Sequence, residues 1–153
     1  MTAARHVQAG GRFRAIVEKT IQLATARREE EVRLYPPSEE VETGGVDLRR
    51  LMDELSGRTP RPAKRALMDY VACLDVADAA ALVTLHYVGR DFRETEKPEA
   101  ALAWQRDAMR SEHVRNTALG KFSERVLIDE YLKKGLMVAA AMGLDIEDLP
   151  RAK

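Results

Sequence analysis

The sequence has little cysteine, no net charge and no long apolar run, and each shortage excludes a class of protein. Its single cysteine, Cys73, cannot form an internal disulfide, which favours a reducing compartment. The 25 basic and 25 acidic residues give a formal charge of zero, whereas nucleic-acid-binding domains usually carry a basic excess. No apolar segment reaches the roughly 18 residues that span a bilayer, and residues 1–11 lack the apolar run of a secretory signal. These shortages predict a cytoplasmic protein with no membrane partner.

What the sequence does contain is apolar residues spaced three and four apart, interrupted by glycine, proline and helix-capping residues. This spacing is typical of amphipathic helices, and no segment alternates with the period of a strand. We predict an all-α fold, a compact single-domain bundle of about six helices. The helical domain covers residues 12–149, with a flexible N-terminus at 1–11, an acidic loop at 36–46 and a C-terminal tail at 150–153.

The capping signals divide this domain into segments. The predicted helices run from residue 12 to Tyr35, from a cap at Asp47 to Gly57, from the Thr59–Pro62 signal to Leu74, over 76–88, from Pro98 to about Arg115, and from a cap at Ser123 to Gly143.

The segment 76–88 differs from the others because it is apolar almost all round. A helix without a polar face is a buried helix, so we expect it at the centre of the bundle with the amphipathic helices around it. Asp75 is the predicted N-cap, Asp78 lies near the positive end of the helix dipole, and Gly89 is the predicted end.

Most of the chemistry-bearing residues have a structural interpretation. His6, His86 and His113 lie too far apart for a metal-binding motif, and Cys73 lies on an apolar helix face that favours a buried, inert thiol. The acid of each pair Asp129–Lys133 and Glu130–Lys134 precedes the base by four residues, which favours a solvated helix face. We therefore predict no cofactor, no metal and no catalytic residue.

One segment, residues 85–92, presents polar side chains directly after the apolar helix. In the structural interpretation, Arg90 compensates the last carbonyl groups of the helix or pairs with an acid from another helix. In the functional interpretation, His86, Tyr87, Arg90 and Asp91 form an anion or partner site. Trp104, the only tryptophan, is predicted to anchor the core or an interface. These five residues are the candidate site.

The chain also resembles a family of uncharacterised bacterial proteins, the domain of unknown function 3775, from the first long helix to Leu136. Residues 81–91, Ala-Leu-Val-Thr-Leu-His-Tyr-Val-Gly-Arg-Asp, look like the family's apolar helix ending in Gly-Arg. Residues 130–136, Glu-Tyr-Leu-Lys-Lys-Gly-Leu, look like its closing Tyr-Leu-x-x-Gly-Leu. The resemblance implies a helical fold and no activity, cofactor or catalytic residue.

These observations favour a non-enzymatic protein-interaction module that self-associates as a homodimer or binds another protein. The support is a set of apolar residues outside the main stripes of the first and sixth helices: Leu23, Val32, Leu34, Met137, Val138, Ala141 and Met142. One alternative is a small-molecule or anion-binding protein, or an enzyme, with its site near His86, Tyr87 and Arg90. The other, less favoured, is nucleic-acid binding through the basic first helix, by Arg12, Arg14, Lys19, Arg27 and Arg28.

Overall fold

A computed structural model of the protein describes residues 11–36, 48–110, 113–124 and 127–153. This part of the chain contains helices and no strand, which confirms the all-α prediction. The helices are α1 (Arg12–Leu34), α2 (Leu48–Ser56), α3 (Pro62–Ala72), α4 (Val76–Asp91), α5 (Pro98–Met109), α6 (Val114–Glu124) and α7 (Ile128–Ala141), followed by a 3-10 turn (Ile146–Asp148). The predicted cap at Asp47, the N-terminus before Gly11 and the acidic loop after Pro36 lie outside the described residues.

Helix α4 lies at the centre of the bundle, as its apolar sequence predicts. Eleven of its 16 residues are buried, and α5, α6 and α7 all pack against it. Helix α1 packs on α3 and α7 and adds Phe13, Val17 and Ala24 to the same core. One continuous core therefore joins α4 to both ends of the described chain.

Gly89 does not end α4, contrary to the prediction, because the helix continues to Asp91. The glycine instead allows α7 to approach closely. A Cβ atom at Gly89 would overlap the carbonyl oxygen of Tyr131, and one at Gly135 would overlap that of Leu85. The two helices therefore cross backbone to backbone, each through a glycine of its own.

The predicted boundaries after residue 98 are also wrong. The structure has three helices, α5, α6 and α7, where the sequence predicted two, and residue 123 lies near the end of α6 rather than at the start of a helix. Helix α3 begins at Pro62 with Arg61 as its N-cap, so Thr59 is not its cap. The glycine ends are confirmed at Gly57 and Gly143, with φ of 62° and 77°.

Ion pairs between helices fix α1 on the core. Asp78, buried near the start of α4, accepts two hydrogen bonds from the guanidinium of Arg12, at 2.7 and 2.9 Å. Asp129 is also buried, contrary to the solvated-face prediction, and it pairs with Arg28 at 2.8 Å. Cys73 is exposed rather than buried, which corrects the prediction of a core thiol. No described helix has the length and apolar character that a membrane crossing requires.

Candidate functional site

The five predicted site residues divide between the core and the surface. His86 is buried and faces inward, with its ring centroid 5.1 Å from that of Tyr131 and 6.3 Å from that of Phe122. Tyr87 and Arg90 are partly exposed, and Asp91 and Trp104 are exposed. The Tyr87 ring meets the His86 ring edge-on at a centroid distance of 5.6 Å, so Tyr87 contacts both the buried His86 and the partly exposed Arg90.

The surface part of this set is a cluster around the Tyr87 ring. The guanidinium carbon of Arg90 and the ammonium nitrogen of Lys121 each lie 4.6 Å from the ring centroid, and Trp104 packs at 5.1 Å. Arg90 also donates two hydrogen bonds of 2.9 Å to Asp91, which raises the pKa of Arg90. The charge of Arg90 is thus matched by the adjacent acid of its own helix, not by an acid from another helix as the structural interpretation predicted. Trp104 is an exposed residue, not a core anchor.

Helix α2 turns its apolar residues toward solvent. Leu48 is 66% exposed, Leu51 43%, Met52 68% and Leu55 80%, and no residue of the helix is buried. Their spacing places all four on one side of the helix, which we name the α2 face. The apolar side of α2 therefore does not join the core that the described residues form.

The opposite, charged side of α2 attaches it to the bundle. Arg50 pairs with Glu31 of α1 at 2.5 Å and with Glu54 on its own helix at 3.3 Å. The hydroxyl of Tyr35, just after α1, donates to the carboxylate of Asp53 at 3.1 Å. Helix α2 is therefore held by ion pairs and hydrogen bonds, the reverse of the usual arrangement for an amphipathic helix.

The same charged side of α2 forms one wall of a cavity of about 620 Å³. Its other walls come from α1, α3 and the segment that joins α2 to α3. Among the described residues, the lining has four cationic side chains, two acidic side chains and two small residues: Arg27, Arg50, Arg61, Lys64, Asp53, Glu54, Gly57 and Thr59. We name it the cationic cavity.

Several contacts fix the arginines of this cavity. Arg27 is buried and donates to the carbonyl oxygen of Phe122 at 2.8 Å, and burial lowers its pKa. For Arg61, a hydrogen bond of 2.8 Å to the hydroxyl of Tyr35 and the charge of Glu31 outweigh burial, so its pKa is raised. The Arg61 guanidinium also lies 5.1 Å from the Tyr35 ring centroid. These guanidinium groups are held in place before any ligand arrives.

Lys64 differs from these arginines. Burial first, and then repulsion by Arg27 and Arg61, lowers the pKa of Lys64. Among the residues that the structure describes, no carboxylate lies within 4.0 Å of its ammonium group. The buried acid closest along this wall, Glu30, accepts instead from the backbone amides of Ala63 and Lys64, at 2.8 and 3.2 Å. The Lys64 ammonium is therefore a partly desolvated charge without an ion-pair partner in the described chain.

No sequence motif indicates either the α2 face or the cationic cavity. The lining residues come from three helices and a connecting segment, so no short spacing relates them. The sequence of α1 is rich in arginine and glutamate, but it does not indicate that these residues pair with α2 and α3. Within the described residues, no group of three His, Cys, Asp or Glu side chains is placed to hold a metal ion.

Comparisons with known proteins add no relative. No family model, no curated protein and no solved structure matches the chain. The resemblance to the domain of unknown function 3775 therefore stays a prediction.

Proposed function

We propose that the protein is an interaction module that forms a twofold dimer through the α2 face. The observation that carries the proposal is the outward direction of Leu48, Leu51, Met52 and Leu55 on a helix attached by its charged side. Burying a leucine or methionine side chain contributes about 1.5–3 kcal/mol. A row of four such side chains in water favours a surface that is covered in the working state of the protein.

A second copy of the chain is the partner that suits this surface. The positions 48, 51, 52 and 55 are symmetric about their midpoint, so an antiparallel pair of α2 helices superimposes the pattern on itself. Leu48 of one copy then lies level with Leu55 of the other, as a twofold interface requires.

The expected dimer is weak. One helical face supplies less than the roughly 800 Å² per partner of a standard interface, so we expect dissociation in the micromolar range or above. The formal net charge of zero means that two copies do not repel each other at long range.

The other apolar residues that suggested self-association give less support to a dimer interface. Val138 and Met142 belong to the core, and Leu23 packs against it. Val32 and Met137 are exposed at 50% and 71%, but each is a single residue rather than part of a row. Isolated exposed apolar residues are ordinary on a protein surface.

The nucleic-acid alternative has less support, because three of the five cations named for it on α1 are already in ion pairs. Arg12 pairs with Asp78 and Arg28 with Asp129 and Glu130, while Arg14 lies 3.4 Å from Glu18. Nucleic-acid binding depends on several exposed cations acting together along the phosphate backbone.

Sedimentation velocity over a range of protein concentrations tests the proposal. We expect the wild type to change from monomer to dimer, and the double variant M52Q/L55Q to remain monomeric throughout. Glutamine is a good helix former, so the helix itself is preserved. M137Q is the matched control, because it removes an equally exposed methionine from α7 and should leave the dimer intact. A monomeric wild type at every concentration, or a dimer that survives M52Q/L55Q, would refute the proposal.

A further inference from the structure

The cationic cavity has no role in the dimer proposed above, since its lining lies on the charged side of α2. We propose that it binds a small phosphate-bearing anion, with Arg50, Arg61 and Lys64 as the residues that contact the phosphate. Its volume of about 620 Å³ falls within the roughly 300–1,000 Å³ of small-molecule sites.

The charge of the lining is the first argument. Among the described residues, four cationic side chains and the two carboxylates Asp53 and Glu54 line the cavity. Glu31 pairs with Arg50 and Arg61, and Glu30 accepts from the amides at the start of α3. Lys64 has no described carboxylate within 4.0 Å to neutralise its charge. A bound anion would supply the missing counter-charge.

The direction of the cations favours phosphate over carboxylate. Arg50 extends from α2, while Arg61 and Lys64 extend from the start of α3. A tetrahedral phosphate accepts hydrogen bonds from several directions, whereas a carboxylate is best matched by one planar guanidinium. Tyr35 keeps Arg61 in place through a hydrogen bond of 2.8 Å, so little side-chain freedom is lost on binding.

Glu54 is the group that a ligand would displace. Its carboxylate is half exposed and makes only long ion pairs, 3.3 Å to Arg50 and 3.7 Å to Arg61. Exposed pairs of this kind contribute little to stability. Glu54 can therefore move aside while Glu31, which is buried, keeps both arginines in position.

Titration calorimetry with pyrophosphate, at constant ionic strength, tests the site on the full chain. We expect saturable binding by the wild type, with affinity reduced about tenfold in K64Q because one charge-assisted contact is lost. E54Q should change affinity in the opposite direction, since it removes the competing acid. K133Q, which removes an exposed lysine from α7, is the matched control and should bind like the wild type.

The possible results of these titrations either support or overturn the proposed site. Loss of binding in K64Q with a gain in E54Q supports the site, and thermal melting of each variant confirms that it is folded. Absence of saturable pyrophosphate binding at millimolar concentration, or equal effects of K64Q and K133Q, would overturn the proposal. Equal affinity for succinate would overturn its phosphate class. None of these results depends on whether the α2 face forms a dimer.

Discussion

The crossing of α4 and α7 and the corner formed by α1, α2 and α3 are held together by opposite kinds of contact. At the crossing, two glycines bring backbones together, and Leu85, which packs on Gly135, is fully buried. At the corner, helices are joined by arginine–glutamate pairs around an open cavity, and one helix leaves its apolar face in water. The crossing is therefore suited to holding the fold, whereas the corner carries the two surfaces for which we propose binding.

The largest effect should come from disturbing the crossing. In G89A the added methyl group meets the backbone of α7, which cannot rotate away as a side chain can. We expect the free energy of unfolding to fall by at least about 3 kcal/mol, measured by urea denaturation followed by circular dichroism.

Gly120 in α6 provides the control for that change. A Cβ atom there meets nothing within 4 Å, so G120A should raise the free energy of unfolding by as much as about 1 kcal/mol through helix propensity alone. If G89A and G120A behaved alike, the backbone crossing would not be the element that holds the fold.

A smaller loss is expected where α1 is fixed to the start of α4. R12A leaves the buried carboxylate of Asp78 without its two hydrogen bonds. Because the Arg12 side chain is largely exposed, water partly replaces it, and we expect a loss of about 2 kcal/mol.

R14A serves as the matched control two residues along the same helix. The pair of Arg14 with Glu18 is exposed on both sides, so its removal should change stability by no more than about 0.5 kcal/mol. Equal losses in R12A and R14A, again by urea denaturation, would show that Asp78 does not depend on Arg12.

The comparison also explains which features the sequence could predict. The burial of α4 followed from its composition, because a helix with no polar side would expose apolar residues in any orientation at the surface. The role of Gly89 did not follow, since the same glycine can end a helix or admit another backbone, and only the position of α7 decides between them.

At the corner, the sequence pattern predicted the helical period of α2 but not the direction in which its apolar side faces. The spacing of Leu48, Leu51, Met52 and Leu55 predicted an amphipathic helix correctly, but its orientation depends on Glu31 and Tyr35, which are distant in sequence. The candidate site was predicted without this information as well, since the sequence does not indicate that His86 is buried while Tyr87 reaches Arg90 and Lys121. Contacts between distant residues decided every one of these outcomes.

If the apolar face of α2 lies outside the fold of the single chain, changing it should leave the monomer's stability intact. The free energy of unfolding of M52Q/L55Q, at a protein concentration where the wild type is monomeric, tests this, with the buried core variant L67A as the reference. We predict a change within about 0.5 kcal/mol for M52Q/L55Q and a loss of about 2–5 kcal/mol for L67A. A loss in M52Q/L55Q as large as that in L67A would show that the face is buried in the monomer.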